Sequence, residues 1–332
     1  MFEIPVIDID PLRQGGAAAA VVAASLDAAC RDVGFFYIVG HGVDPDLTER
    51  LEALAREFFA LPETEKGDIA MAMAGPAWRG WFPLGGELTA GVPDQKEGVY
   101  FGAELPATNA LVVAGTPMHG PNLFPVRPAG LRAAVLNYMD ALTAVGQLVL
   151  SGMALGLGLD PDWFSTHLTS DPLILFRIFR YPPMPPGHGH GHGQGWSVGE
   201  HTDYGLLTIL GQDDRGGLQV HTQGRWVDAP PRQGAFVCNL GDMMDRLTGG
   251  RYRSTPHRVR NAGRTDRLSF PFFLDPAWQA TVERLPIVAR PVDDDAARRW
   301  DQRSVHGFEG TYGQYILSKV GRVFPDLAGG SA

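Results

Sequence analysis

The sequence predicts a mainly β fold with helices packed on one side, an α+β chain built around a sandwich, jelly roll or barrel. Three observations carry this. Short β-like runs follow one another at close spacing after Asp171, each bounded by turn residues. Helical spacing is confined to the first half and the far C-terminus, so helices and strands are segregated. Hydrophobic residues make up 44% and charged residues 20% of 332 positions, enough apolar material for one large unit with a sizeable core.

In chain order, Ile4 to Ile9 reads as a short strand, and the Ala-rich stretch Ala17 to Val33 as a helix stopped by Gly34. Phe35 to Val39 reads as a buried strand. Asp46 to Leu61 reads as a charged amphipathic helix ended by Pro62. From Met71 to Phe101 glycine, proline and aromatics alternate without a period, which predicts an irregular binding loop. Ala129 to Leu159 predicts a long helix kinked at its glycines. Seven β-like runs follow: Leu173–Tyr181, Leu206–Gly211, Leu218–Thr222, Trp226–Ala229, Ala235–Leu240, His257–Val259 and Leu268–Leu274. Asp213-Asp214, Gly216-Gly217, Gln223-Gly224 and Asn261-Ala262-Gly263 supply turns between them. Val305 to Val320 reads as helical again.

Charge and cysteine usage narrow the function. The formal net charge is −9 with no run of Lys or Arg, which argues against a nucleic-acid partner. Cys30 and Cys238 sit among apolar neighbours and outside any CxxC pair, so they read as buried free thiols. The opening MFEIPVIDID lacks the basic and apolar regions of a signal peptide. The longest apolar stretch, Val145 to Leu159, is broken by Gly, Gln and Ser and reads as a buried helix rather than a membrane span. The expectation is a soluble cytoplasmic protein without a membrane partner.

The chemistry is concentrated in Glu200-His201-Thr202-Asp203. On a strand, residues two apart share a face, so His201 and Asp203 can reach one ion. Two histidines and one carboxylate on one face of an octahedron leave three positions open, the arrangement of non-haem iron(II) oxygenases. His257 is the candidate third ligand, because it opens a short β-like run after Pro256 that can lie across the barrel mouth from His201. A lone His-x-Asp is usually structural. Here it lies in the β-rich half, with a histidine 56 positions on and Arg267 and Ser269 ten and twelve positions beyond that.

Arg267 and Ser269 are again two apart, on a run that continues with Phe270, Phe272 and Phe273. A strand that apolar is buried on both faces, and a buried guanidinium needs an anion. Arg and Ser on one face form a carboxylate clamp. The competing reading is a surface ion pair with Asp266.

With these residues in place, the sequence resembles the isopenicillin N synthase-like family of iron(II)- and 2-oxoglutarate-dependent oxygenases. The resemblance covers nearly the whole chain. It rests on Ile4-Pro5-Val6-Ile7-Asp8, Gly34-Phe35-Phe36, Gly40-His41-Gly42 and Leu61-Pro62 with Lys66 in the N-terminal part. Arg79-Gly80-Trp81, Gly85-Gly86-Glu87 and Asp94-Gln95-Lys96-Glu97 follow. Arg180-Tyr181-Pro182-Pro183, His201-Thr202-Asp203, Gly217-Leu218-Gln219-Val220, Asn239-x-Gly241-Asp242, His257-Arg258-Val259 and Arg267-x-Ser269-x-Pro271-Phe272-Phe273 complete it.

The resemblance implies a double-stranded β-helix (jelly-roll) core flanked by helices. It implies an N-terminal helical and strand region over 1–120 and the oxygenase core with its C-terminal helix over 121–332, as one integrated unit. His201, Asp203 and His257 are the implied ligands of Fe(2+). Arg267 and Ser269 are the implied clamp for the distal carboxylate of 2-oxoglutarate, with Tyr181 as an auxiliary contact. Many plant members carry Asn two residues before this Tyr, where this chain has Phe179. The implied reaction uses O2 and 2-oxoglutarate to oxidise a C–H bond of a small molecule, by hydroxylation, desaturation or cyclisation, with release of succinate and CO2. Two alternatives stand beside it: an isopenicillin N synthase-type oxidase that needs no 2-oxoglutarate, and a non-catalytic β-barrel binding protein.

Other candidates are set aside. His188, His190 and His192 alternate with glycine and read as a surface insertion with adventitious metal affinity. His41 and Asp242 read as structural turn residues. His119, His167, His221 and His306 lack partners at ligand spacing. Trp81, Phe82, Tyr100, Phe101 and Phe272 are candidates for lining a substrate pocket, although aromatics more often fill a core.

Overall fold

The computed structural model describes residues 3–89, 91–183, 196–261, 263–288, 296, 299 and 302–321. Its strands, in chain order, are β1 (Val6–Asp8), β2 (Phe35–Val39), β3 (Gly80–Phe82), β4 (Leu88–Thr89), β5 (Val92–Pro93), β6 (Glu97–Gly102) and β7 (Leu173–Tyr181). There follow β8 (Val198–His201), β9 (Leu207–Gln212), β10 (Leu218–Thr222), β11 (Arg225–Asp228), β12 (Phe236–Leu240), β13 (His257–Val259) and β14 (Arg267–Asp275).

Two sheets carry the core. The larger runs β1-β2-β12-β9-β14-β7-β6-β3 and the smaller runs β11-β10-β13-β8. Followed along the chain, β7 to β14 pass back and forth between the sheets, with only β10 and β11 consecutive in one of them. That winding is a double-stranded β-helix, the expected core. The seven predicted β-like runs all become strands, with ends shifted by a residue or so. β14 is buried along almost its whole length, as its apolar run requires.

Helices cover the larger sheet. Gly16–Asp32 and Pro45–Phe59 pack on Leu131–Gly156, which also lies on β9 and β14. This long helix is continuous, and its glycines serve close approach instead of kinks. A Cβ at Gly146 would stand 2.7 Å from Leu274 Cδ2, and one at Gly152 2.6 Å from Leu26 Cδ1. The last helix, Tyr312–Val320, starts at a capping box in which Thr311 and Gln314 satisfy each other's backbone N–H.

Three further expectations need correction. The described residues of Met71 to Phe101 are not an irregular loop: they hold β3 to β5 and most of β6, and β6 pairs with β7 from Glu97↔Arg180 to Gly102↔Leu175. Its glycines hid the strand because they replace side chains the sheet has no room for. A Cβ at Gly98 would meet the Phe179 and Phe82 rings at 2.6 and 2.8 Å. Next, β8 ends at His201, so Asp203 stands in the turn beyond the strand and not on its face. Finally, His257 is the direct register partner of His201 on the neighbouring antiparallel strand; it is beside that residue, not across a mouth from it.

Candidate metal centre

His201, Asp203 and His257 converge despite the corrected geometry. One ligand atom from each lies within 4.8 Å of the others. The two imidazole centroids are 4.2 Å apart, and His257 Nε2 is 3.7 Å from Asp203 Oδ1. The β8–β13 register sets the histidines side by side. The turn brings the carboxylate back to them, held by Asp242 N–H donating to the Asp203 carbonyl at 2.7 Å. Asp242, expected in a turn, is instead the buried first residue of the helix Asp242–Thr248.

Hydrogen bonds decide which atoms stay open. His201 Nδ1 lies 2.8 Å from the Gly199 carbonyl, and His257 Nδ1 lies 3.3 Å from the Thr255 carbonyl. A carbonyl can only accept, so each Nδ1 carries the proton and each Nε2 presents its lone pair. Asp203 Oδ2 accepts from Thr208 Oγ1 at 2.5 Å and from Asn239 Nδ2 at 2.7 Å, which leaves Oδ1 facing the histidines. Burial lowers both histidines, and burial together with the His201 charge takes His257 to about 4. Burial works to raise the Asp203 carboxyl, but His257, His201 and the two hydrogen bonds hold it below its ordinary value. Neutral imidazoles beside a carboxylate fit a borderline divalent ion.

The second constellation forms on β14 and β7. Arg267, Ser269, Pro271, Phe273 and Asp275 alternate along β14, and Leu175, Arg177, Phe179 and Tyr181 alternate along β7; all line one cavity of about 640 Å³ that also contains the three ligands. Arg267 pairs with Tyr181 in register, and Ser269 with Phe179. Arg267 is buried. Its Nε donates to Gly216 O at 2.5 Å and one terminal nitrogen donates to Gln212 Oε1 at 3.1 Å, while Nη1 has no partner among the described residues. Its guanidinium carbon is 4.9 Å from the centre of the Tyr181 ring. Ser269 Oγ and Tyr181 OH are 3.3 Å apart. Asp266, the competing partner, pairs with Arg180 Nε at 2.7 Å instead. An orphaned buried Nη1 beside two hydroxyls fits an oxyanion.

Sequence reasoning missed several residues of this cavity. Glu87, Lys96 and Arg177 reach it from the turn before β4, the end of the loop after β5 and the middle of β7. Thr208 and Asn239 fix Asp203 from β9 and β12. Glu87, Lys96 and Asn239 fall within the family-like patterns above, whereas Arg177 and Thr208 carried no sequence signal. Trp81, Phe82, Tyr100, Phe101 and Phe272 are buried core residues and do not line the cavity. His41 sits in a loop with Nε2 3.1 Å from the Gly234 carbonyl, and His306 pairs with Asp245 at 3.4 Å. Cys30 and Cys238 are buried free thiols. The His188, His190 and His192 segment lies outside the described residues.

Known proteins share this design. Residues 4–127 match the family model described as non-haem dioxygenase in morphine synthesis N-terminal, and residues 172–276 match that of the 2OG-Fe(II) oxygenase superfamily. A Dictyostelium discoideum protein named as a probable iron/ascorbate oxidoreductase is 45% identical over 98% of this chain and 96% of its own. The 1-aminocyclopropane-1-carboxylate oxidase of the same organism is 36% identical over the same shares. Among solved structures, a full-length Neurospora crassa protein in complex with alpha-KG and thymine superposes with a TM-score of 0.79 at 25% identity, over 96% of both chains. The 2OG-Fe(II) oxygenase family model and the neighbour solved with alpha-KG favour the 2-oxoglutarate-dependent enzyme over an oxidase without 2-oxoglutarate and over a non-catalytic barrel. The chain belongs to the 2OG-Fe(II) oxygenase superfamily and is a non-haem iron dioxygenase dependent on 2-oxoglutarate.

Proposed function

We propose that His201, Asp203 and His257 hold the iron(II) of this oxygenase, and that Arg267, Ser269 and Tyr181 take the distal carboxylate of 2-oxoglutarate. The observation that carries the reading is the set of atoms left open. One ligand atom from each of the three lies within 4.8 Å of the others, while both Nδ1 atoms and Asp203 Oδ2 are already hydrogen-bonded. Arg267 Nη1 is a donor in the same cavity without a partner among the described residues.

When bound, the iron couples oxidative decarboxylation of 2-oxoglutarate by O2, giving succinate and CO2, to oxidation of a substrate C–H bond. The chain's own residues do the rest. The two backbone carbonyls fix the histidine tautomers, and Thr208 and Asn239 aim the carboxylate. Arg267 and the two hydroxyls orient the cosubstrate, while Leu175, Phe179 and Phe273 provide an apolar wall that limits water. We read the substrate as a small polar molecule. Two similar proteins, one by its name and one by its solved complex, are associated with such compounds: 1-aminocyclopropane-1-carboxylate and thymine. The net charge of −9 supports a protein without a nucleic-acid partner, and we place it in the cytoplasm with no membrane contact.

Titrating the iron(II) protein with 2-oxoglutarate under nitrogen tests the assignment. The expected result is a visible charge-transfer band that Asp203→Ala abolishes and Arg267→Leu shifts to far higher 2-oxoglutarate. A band that survives Asp203→Ala with unchanged iron affinity would remove the ligand assignment.

A further inference from the structure

The cavity holds a second set of charges that the iron and its cosubstrate do not use. Glu87, Lys96 and Arg177 line its wall, and Asp94 pairs with Lys96 beside them. Lys96 Nζ lies 2.8 Å from Asp94 Oδ2 and 3.0 Å from Glu87 Oε2. Arg177 Nη1 lies 3.7 Å from Glu87 Oε1. Backbone bonds build the group: Asp94 N–H donates to the Glu87 carbonyl at 2.9 Å across the β4–β5 hairpin, and Gln95 N–H donates to the Ser197 carbonyl at 2.9 Å. The cluster sits next to the metal centre. The Asp203 charge acts on Arg177, and the charges of Lys96 and Glu87 act on His201.

Arg177 is the unusual member. Its guanidinium carbon lies 4.0 Å from the centre of the Tyr100 ring and 5.0 Å from that of Phe273. Its nearest carboxylate, Glu87, is beyond hydrogen-bond distance, and its Nε is buried without a partner among the described residues. A planar fork of donors held by aromatic rings and short of acceptors is suited to a carboxylate. It is distinct from the clamp on the same face of β7, because Arg177 lies four residues before Tyr181, roughly 13 Å along a strand. Glu87 offers the opposite charge beside it, and the charges of Lys96 and Arg177 keep it ionised against the effect of burial.

We propose that Arg177 and Glu87 form a substrate subsite for a zwitterionic α-amino acid, whose carboxylate takes the Arg177 fork and whose ammonium lies against Glu87. The charges of the four clustered residues cancel, so the wall accommodates a zwitterion without a net buried charge. A phosphate or dicarboxylate would leave uncompensated negative charge, and an amine would leave Arg177 without an acceptor. An α-amino acid carries both groups on one carbon, matching two adjacent opposite charges on the wall. This rests on the iron and 2-oxoglutarate assignment above and names the substrate class of that site.

The test uses full-length protein loaded with iron(II) and 2-oxoglutarate under nitrogen. Calorimetry and thermal denaturation are run with the proteinogenic L-amino acids, the amines they give on decarboxylation, and the acids that lack their amino group. At least one amino acid is expected to bind and raise Tm, with its amine and its des-amino acid at least tenfold weaker. Arg177→Gln is expected to weaken the amino acid at least tenfold and leave the 2-oxoglutarate band in place. Arg177→Lys should recover part of the loss. Glu87→Gln should weaken the amino acid but not the des-amino acid, and it carries the decision if Arg177→Gln fails to fold. The inference is overturned if the band forms and no amino acid binds, if an amine binds as tightly as its parent, or if the loss is absent in these variants. Absence of the band in the wild-type protein would instead remove the iron and cosubstrate assignment, and this inference with it.

Discussion

Asn239 donates its side-chain amide to Asp203 Oδ2 at 2.7 Å, from a strand in the larger sheet to a turn that leaves the smaller one. With Thr208 on the same oxygen, it fixes the carboxylate rotation that points Oδ1 at the histidines. Such outer contacts typically contribute one to two orders of magnitude in metal affinity. Asn239→Ala and Thr208→Val are each expected to weaken iron(II) binding by about 10- to 100-fold with the fold intact. Competition against a chelator of known affinity measures it, and affinities within twofold of wild type would show that the carboxylate is held by other means.

His257 gives the metal-free protein a pH-dependent stability. Its folded value is about 4, lowered first by burial and then by His201, against an ordinary 6.5. Between those values the unfolded chain binds the proton and the folded chain does not. Stability is therefore full above about pH 6.5 and is lost as pH falls toward 4. The expected loss from pH 7 to pH 5 is about 2 kcal/mol from this residue. Urea unfolding at the two pH values checks the sign, and a His257→Leu protein should show a correspondingly smaller difference. Equal slopes in the two proteins would refute it.

The sequence showed most clearly what strand periodicity and local spacing encode. β7 and β14 are long, apolar runs, and their alternation already set Arg267 and Ser269 on one face. His201 and Asp203 were found for a reason only half right. A spacing of two fits both a strand face and a strand end followed by a turn, and here the turn is used. β6 was hidden because Gly98 and Gly102 erase its side-chain pattern, and only the packed Phe179 ring and Arg79 guanidinium show why they must. Glu87, Lys96 and Arg177 were illegible as a group. Arg177 is 81 residues beyond Lys96, and their meeting depends on the β6–β7 pairing, which no local signal reveals.

The clamp can be separated into charge and fork. Arg267 already spends two donors on Gly216 and Gln212, so its remaining Nη1 has a fixed direction. Lysine keeps the charge but cannot hold that direction. Arg267→Lys is expected to raise the KM for 2-oxoglutarate by about 10- to 100-fold with a smaller change in kcat, equivalent to about 1.4–2.7 kcal/mol of binding. Tyr181→Phe keeps the ring under the guanidinium and loses only the hydroxyl near Ser269, so its effect should be tenfold or less. Succinate release at varied 2-oxoglutarate measures both, and a larger effect for Tyr181→Phe than for Arg267→Lys would reverse the assignment.

Gly205 ties the metal turn to the far end of β14. A Cβ there would stand 1.5 Å from Asp275 Oδ1. That same oxygen accepts from Leu206 N–H at 3.1 Å, while Oδ2 accepts from Tyr312 OH at 2.6 Å. Burial pushes Asp275 up to about 7, so its carboxyl depends on these partners and has nowhere to retreat without leaving a buried polar group unmet. Gly205→Ala must therefore displace Asp275, the turn that carries Asp203, or both. The expected cost is about 2–4 kcal/mol of stability, together with weaker iron binding because the turn moves. Gly67→Ala is the contrast: a Cβ there meets nothing within 4 Å, and its φ of −62° is helical. That change is expected to be neutral or to stabilise by about 0.4–1 kcal/mol. Denaturant unfolding of the pair gives the stabilities and chelator competition gives the iron affinities. A Gly205→Ala protein as stable and as iron-avid as Gly67→Ala would show that the turn and β14 are not coupled through this contact.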